Sequence, residues 1–167
     1  MIELRLAKPA EYEQAGQVTV AGYEADGFVN GPDGTEDHYA PQLLDAAKRA
    51  GEAELVVAVD ESDMVLGTVT WCPVDSPWRE LAVRPDQGEF RMLSVLPAAR
   101  RQGIARALVE WCLERARADG LNEIVLCSLV VMKAAHTLYG SFGFQRAPEL
   151  DWEPIPGVLL WGFRLKL

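Results

Sequence analysis

Three arginines surround a glycine in residues 100–106, and such a cluster can bind an anion. Gly103 has no Cβ, so a bound group can approach its backbone closely, while Arg100, Arg101 and Arg106 supply positive charge. The segment has neither the Gly-Lys-Ser/Thr ending of a Walker loop nor the three glycines of a dinucleotide fingerprint. We expect a pyrophosphate to bind at this turn, and an exposed basic helix start is the alternative.

A strand and a helix flank this basic turn. Residues 89–95 are predicted to form a strand, and Ile104, Leu108 and Cys112 lie at the spacing of one buried helix face. The segment before the helix offers no Ser, Thr, Asp or Asn, so no short side chain accepts hydrogen bonds from its first backbone N–H groups. Because those groups carry partial positive charge, an anion can take the place of a capping side chain.

A second strand and helix follow the first pair. Residues 123–129 form an apolar run that predicts a strand, and Gly143-Phe144 ends the helix after it. The residues on one face of that helix are Ala135, Leu138, Tyr139 and Phe142. The order of elements is therefore strand, basic turn, helix, strand, helix.

Two motifs in these elements resemble those of the GNAT superfamily of N-acetyltransferases, which transfer an acyl group from acetyl-CoA to a primary amine. The family's cofactor motif, Arg/Gln-x-x-Gly-x-Gly/Ala, corresponds to residues 100–105. Its later motif, Ala-x-x-Leu-Tyr followed by Gly-Phe, corresponds to residues 135–144. The resemblance is detailed over about the second half of the chain and topological over the first. Met132 departs from the family by standing where many members have a cofactor-contacting Asn, and Arg101 stands where Gly is common.

The resemblance implies the fold, an α/β (α+β) architecture with a mixed, mostly antiparallel sheet of about six or seven strands and about four flanking helices. In this fold the fourth and fifth strands, here residues 89–95 and 123–129, splay apart and admit the pantetheine arm of acetyl-CoA. A splayed strand has unpaired backbone groups, which the pantetheine amides can satisfy. The expected cofactor-binding residues are Leu93, Ser94, Val95, Arg100, Arg101, Gln102, Gly103, Ile104, Ala105 and Arg106.

The resemblance also implies a mechanism in which the amine attacks acetyl-CoA directly in a ternary complex. It assigns a general acid and a general base to this reaction. Tyr139 matches the tyrosine that donates a proton to the departing thiolate, which is feasible for a phenol of pKa about 10 beside a thiol of pKa about 8.5. Glu89 matches the strand-borne glutamate that is the general base in histone-type members, and water is the alternative base. The backbone N–H of Val95 is expected to polarise the thioester carbonyl.

Two loops, residues 28–39 and 149–157, are expected to select the amine. Their acidic side chains can hold a cation, and nearby aromatic side chains can cover it. The acids are Asp33, Glu36, Asp37, Asp151 and Glu153, and the aromatics are Phe28, Tyr39, Trp78 and Trp152. A solvated loop surface is the alternative for each residue. A polyamine, an amino acid, an aminoglycoside-like drug and a protein amine all remain open as acceptors.

Two histidines are not expected to do chemistry. His38 lies near acidic residues in a spacing that matches no metal-ligand pattern, so we expect no metal. His136 lies one residue beyond Ala135, off the inward face of its helix, and is predicted to be a surface or cofactor-rim residue. The thiols of Cys72, Cys112 and Cys127 are unclustered in apolar segments, so we expect them to be reduced.

Composition limits the remaining classes of function. The 167 residues, 49% of them apolar, are predicted to form a single domain, 1–167. A net charge of −9 argues against nucleic acid as a partner, because phosphate backbones bind basic faces. No apolar run reaches about 20 residues and no signal peptide is recognisable, so no membrane partner and a cytoplasmic location are expected.

Members of the family often dimerise, which makes a homodimer compatible with the resemblance. A non-catalytic acyl-CoA-binding sensor or interaction module is the alternative function.

The rest of the chain predicts elements that would support this site. Strands are expected at residues 2–6, 55–59, 65–71 and 158–167, the second and third as a hairpin, and helices at 9–24 and 39–50. Residues 73–88 are predicted to be a long connection or to carry an irregular strand. Residues 152–157 are predicted to be a Pro-rich loop.

Overall fold

The computed structural model describes residues 1–29 and 39–167. One sheet of eight strands runs through these residues. The strands are β1 Glu3–Leu6, β2 Glu54–Val59, β3 Val65–Cys72, β4 Gln87–Val95, β5 Glu123–Leu129, β6 Gln145–Arg146, β7 Trp152–Ile155 and β8 Val158–Lys166. The strand order is β1-β2-β3-β4-β5-β8-β6, with β7 also paired to β8, and all pairings are antiparallel except β4 with β5. The predicted mixed, mostly antiparallel sheet is confirmed.

Helices cover both faces of this sheet. The α-helices of the described residues are α1 Tyr12–Ala25, α2 Ala40–Leu44, α3 Ala46–Glu52, α4 Ile104–Ala118 and α5 Lys133–Ser141. Side chains alternate between the faces along β2, so Val56 packs in the cluster under α4 and α5 while Val57 packs in the cluster under α1 and α3. The buried residues on both faces fix the strand register, because a slip of one residue would move every side chain of the strand to the opposite face of the sheet.

The sequence placed most elements correctly. The described residues have eight strands and five α-helices, where about six or seven strands and about four helices were expected, and β6 was not predicted. The helix expected at residues 39–50 is divided at Asp45, whose side chain accepts a hydrogen bond from the Lys48 N–H at 3.1 Å and caps α3. The loop expected at residues 152–157 is wrong, since Trp152–Ile155 is a strand. This strand pairs Ile155 with Val158 in a tight hairpin, and Pro154 is tolerated because β7 borders only β8.

Strands β4 and β5 splay apart as the resemblance implies. They pair only over Gln87–Glu89 and Glu123–Val125, after which β4 stays paired with β3 and β5 with β8. Met92 adopts a left-handed φ of 56°, and the register with β3 shifts beside it, between Thr68 and Thr70. Because a bulge bends and twists a strand, this irregularity helps β4 to diverge from β5.

Candidate active site

A cavity of about 910 Å³ lies between the splayed end of β4, the start of α4 and the start of α5. We call it the cofactor cavity. Nine of the ten residues predicted to bind the cofactor line it: Leu93, Ser94, Val95, Arg100, Arg101, Gly103, Ile104, Ala105 and Arg106. The tenth, Gln102, is exposed and is not part of the wall. The end of β4 and the basic turn before α4 therefore face one cavity.

The start of α4 has the features of an anion site. Gly103 precedes the helix with a left-handed φ of 80°, and no side chain caps the first turn, as expected from the sequence. A Cβ built on Gly103 would meet no heavy atom within 4 Å, so the backbone there opens to the cavity. Unbonded N–H groups at a helix start attract negative charge.

The three arginines around this turn differ in their partners. Arg100 makes two 2.9 Å bonds to the Asp26 carboxylate and one of 2.9 Å to the Gly22 carbonyl, which ties the turn to the end of α1. Arg106 donates to Ser141 Oγ at 2.8 Å and lies over the Phe142 ring at 4.8 Å. Arg101 is exposed and has no ion pair with any described residue, so its charge is available to a ligand.

A second cavity, of about 220 Å³, adjoins the first. Tyr23, Phe28 and Met132 line both cavities. We call the second one the acceptor cavity; its other lining residues are Tyr39, Gln42, Glu80, Arg91, Met92, Cys127, Ser128, Leu129, Pro154, Ile155, Val158 and Leu160. The two cavities are therefore neighbours that share part of their walls.

The residues predicted to select the amine divide into three groups. Phe28 and Tyr39 line the acceptor cavity. Asp151, Glu153, Trp78 and Trp152 do not; Asp151, for example, is bonded to Arg146 and to the Gly162 N–H, and its pKa is lowered chiefly by Arg146. Asp33, Glu36 and Asp37 lie outside the described residues, as does His38, which was not expected to do chemistry.

Tyr139 lies in an aromatic cluster beneath the sheet. Its side chain is 6% exposed, and its ring centroid is 5.9 Å from that of Phe90, 5.8 Å from Phe144 and 6.1 Å from Phe163. It lines neither cavity, although Leu138 beside it lines the cofactor cavity. Burial raises the pKa of Tyr139, so the phenol stays protonated at neutral pH.

Glu89 is fully buried, and its carboxylate does not face either cavity. Its oxygens accept hydrogen bonds from the backbone N–H groups of Glu80, Leu81 and Ala82 at 2.9 to 3.2 Å. Burial raises the pKa of Glu89, and these hydrogen bonds oppose the rise. The loop after residue 79 therefore folds over this carboxylate and encloses it.

Met132 and His136 lie at the start of α5. Met132, at the usual Asn position, lines both cavities and has its Sδ 3.5 Å from Ser128 Oγ. His136 Nε2 is 3.1 Å from the same hydroxyl, and its ring stacks on Trp161 at 5.7 Å. Burial lowers the pKa of His136. His136 packs half-buried against β8 and lines neither cavity.

The three cysteines are free thiols. Burial raises the pKa of each, to about 12 for Cys127, so none is a thiolate at neutral pH. Within residues 1–29 and 39–167, no group of three His, Cys, Asp or Glu side chains is arranged to hold a metal ion. No helix in the described part of the chain is long and apolar enough to cross a membrane.

Sequence reasoning missed two charged residues of the acceptor cavity, Glu80 and Arg91. Arg91 lies in the predicted strand, where alternation alone does not show which face borders a ligand. Glu80 lies in the irregular connection between β3 and β4, which has no periodic pattern to place its side chain. We find no signal in the sequence that marks Glu80.

Comparison with known sequences identifies relatives of this chain. A sequence model for the Acetyltransferase (GNAT) family matches residues 21–144. N-acetyltransferase 8B of Homo sapiens is 38% identical over 90 residues, which cover 54% of this chain and 38% of that protein. N-acetylaspartate synthetase of Danio rerio is 39% identical over 70 residues, covering 42% of this chain and 25% of that protein. The matched regions thus span about two fifths or less of these relatives.

Solved structures share the fold. An acetyltransferase of the GNAT family from Staphylococcus aureus Mu50 superposes with a TM-score of 0.76 at 13% identity, covering 100% of this chain and 99% of that one. The PaiA N-acetyltransferase from Thermoplasma acidophilum, solved with coenzyme A, also has a TM-score of 0.76, at 12% identity and the same coverage. Identities this low show similarity of fold alone.

Proposed function

Because this chain belongs to the Acetyltransferase (GNAT) family, we propose that it transfers an acetyl group from acetyl-CoA to a primary amine. The observation that supports this most strongly is the cofactor cavity, which joins the unpaired edge of β4 to the uncapped start of α4. The adjoining acceptor cavity allows the amine to attack directly in a ternary complex.

Acetyl-CoA would be held by two kinds of contact. The first is a set of backbone groups on the edge of β4 that β5 leaves unpaired, at Leu93, Ser94 and Val95. These groups can form hydrogen bonds with the pantetheine amides. The N–H groups after Gly103, with the free charge of Arg101, suit the pyrophosphate. When bound, acetyl-CoA supplies the acetyl group and the thiolate leaving group. The Val95 N–H is our candidate for polarising the thioester carbonyl.

Tyr139 is our candidate for the general acid. Its phenol is protonated at neutral pH, as a proton donor must be, and it lies next to a residue that lines the cofactor cavity. The raised pKa makes complete proton transfer to a thiolate unfavourable, so a hydrogen bond that stabilises the thiolate is the larger expected contribution.

The general base is less closely defined by the contacts. A role for Glu89 as base stays a prediction, and its burial means that water would have to relay the proton to it. The hydrogen bonds of Glu89 support a positioning role, because they hold the backbone of the loop that carries Glu80 to the acceptor cavity. Water therefore remains the alternative base.

Calorimetric titration with acetyl-CoA, followed by measurement of thiol release with a panel of amines, tests the proposed function. Binding with turnover of one amine class would support an N-acetyltransferase. Binding without turnover of any amine would favour the acyl-CoA-binding sensor or interaction module. Absence of binding would contradict the assignment of the cofactor cavity.

The remaining expectations are also proposals. We propose that residues 1–167 act as one catalytic domain whose partners are acetyl-CoA and a small-molecule or peptide amine, without nucleic acid, membrane or metal, in the cytoplasm. A homodimer is proposed as well, and sedimentation equilibrium of the purified protein would distinguish a dimer from a monomer.

A further inference from the structure

The wall of the acceptor cavity is mainly apolar and aromatic. Ten of its fifteen lining residues are of this kind: Tyr23, Phe28, Tyr39, Met92, Leu129, Met132, Pro154, Ile155, Val158 and Leu160. Its volume of about 220 Å³ is below the range of about 300–1,000 Å³ that encloses drug-sized ligands. A site of this size and lining suits a small molecule with an apolar group.

One ion pair supplies the charge of this cavity among its described residues. Arg91 Nη2 lies 2.6 Å from Glu80 Oε1, and Arg91 Nη1 donates to the Trp78 carbonyl at 3.0 Å. The Arg91 guanidinium also lies 5.6 Å from the centroid of the Trp78 ring, and its side chain is only 11% exposed. Arg91 is therefore occupied by protein partners.

Glu80 is the more accessible member of the pair, with its side chain 23% exposed. Its second oxygen, Oε2, accepts a hydrogen bond from the Cys127 thiol at 3.4 Å. A thiol is a weak donor, so an ammonium group can replace it with a stronger, charge-assisted bond. The backbone bonds to Glu89 fix the position of Glu80, so this carboxylate is preorganised.

We propose that the acceptor is a small primary amine with one positive charge and an apolar or aromatic group, and that Glu80 binds its ammonium. The apolar wall covers the rest of the molecule. A polyamine is disfavoured, because the described residues of the cavity offer one carboxylate, already paired with Arg91, and their apolar wall would desolvate the further ammonium groups. This inference rests on the proposed acetyl transfer and names the substrate class of that reaction.

Binding of 2-phenylethylamine and of spermidine to the purified 167-residue protein, measured by calorimetry with and without CoA, tests the inference. We expect 2-phenylethylamine to bind at least tenfold more tightly than spermidine. We expect Glu80→Gln to weaken its binding at least tenfold, and Glu80→Asp to weaken it less, because the charge is kept. The control Glu110→Gln, on the exposed face of α4, should change binding less than twofold.

Several results would overturn the inference: tighter binding of spermidine, no binding of 2-phenylethylamine in either condition, or unchanged binding in Glu80→Gln with an unchanged melting temperature. Tighter binding of a short peptide through its N-terminus would overturn the small-molecule class.

The acetyl-CoA titration distinguishes failure of the substrate class from failure of the proposed acetyl transfer. If acetyl-CoA binds and the aromatic amine does not, only the substrate class fails. If the amine binds and acetyl-CoA does not, the proposed transfer fails.

Discussion

The Glu80 backbone N–H donates to both carboxylate oxygens of Glu89, at 3.0 and 3.2 Å. The N–H groups of Leu81 and Ala82 each add a bond of 2.9 Å to the Glu89 Oε1 atom. A buried strand residue thus holds the loop whose acidic side chain reaches the acceptor cavity. Glu89 thus positions the loop that carries Glu80, and we propose that Glu80 contacts the substrate.

Glu89→Gln distinguishes a positioning residue from a general base. The amide NH₂ cannot accept the backbone hydrogen bonds that a carboxylate oxygen accepts, so we expect a loss of about 1–3 kcal/mol in the free energy of unfolding. We expect KM for the amine to rise several-fold, while acetyl-CoA affinity stays within twofold. A fall in kcat of about 100-fold or more, with KM unchanged, would instead indicate a base. Glu110→Gln is the matched control.

Gly103→Glu tests the anion site at the start of α4. The new carboxylate would enter the open space above Gly103 and repel a pyrophosphate, and its backbone would be strained at a φ of 80°. We expect acetyl-CoA affinity to fall at least tenfold in calorimetry. Gly51→Glu, at another open glycine on α3 without a left-handed φ, should leave the affinity unchanged. Equal affinity in the two variants would show that the pyrophosphate site is misassigned.

Tyr139→Phe removes one hydroxyl and keeps the ring contacts with Phe90, Phe144 and Phe163. We expect kcat for thiol release to fall about 10–100-fold, since general acid catalysis typically contributes about 10²-fold or more and water can partly substitute. Acetyl-CoA affinity should not change. Tyr12→Phe, on α1, provides the control. Unchanged turnover would remove Tyr139 from the mechanism.

Gly22 allows α1 to approach β4 beside the cofactor cavity. A Cβ at this position would overlap Ser94 Oγ and lie 3.0 Å from the Val95 carbonyl oxygen. We expect Gly22→Ala to lower the free energy of unfolding by about 1–3 kcal/mol, measured by urea denaturation. Adding Ser94→Ala removes the overlapping oxygen, so the double variant should lose less stability than the sum of the single variants. Strict additivity would contradict this contact.

Glu11 makes stability depend on pH. Arg5 donates two bonds to its carboxylate, at 2.7 and 2.9 Å, and lowers the pKa of Glu11 below its ordinary value of 4.5. A lowered carboxylate pKa stabilises the fold above the unfolded pKa, and this stabilisation is lost as the pH falls below 4.5. Glu11→Gln should cost about 2 kcal/mol at pH 7 and less near pH 3, measured by denaturation at each pH. An equal cost at both pH values would show that charge is not involved.

Local patterns in the sequence determined much of this protein. The basic turn, the uncapped start of α4, the strand at residues 123–129 and the hairpin of β2 and β3 were all predicted, because each depends on neighbouring residues and on one period. The resemblance implied the mixed sheet and the splay of its fourth and fifth strands, which the structure confirms.

Only the tertiary structure decided where the charged side chains point. Residue spacing cannot show that the loop after residue 79 covers Glu89, or that the same loop brings Glu80 to Arg91. It also cannot show that β4 bulges at Met92, where a non-glycine residue adopts a left-handed φ. Each of these features depends on contacts between segments that share no hydrophobic periodicity. The positions of these side chains therefore follow from packing across the sheet and not from the residues next to them in the chain.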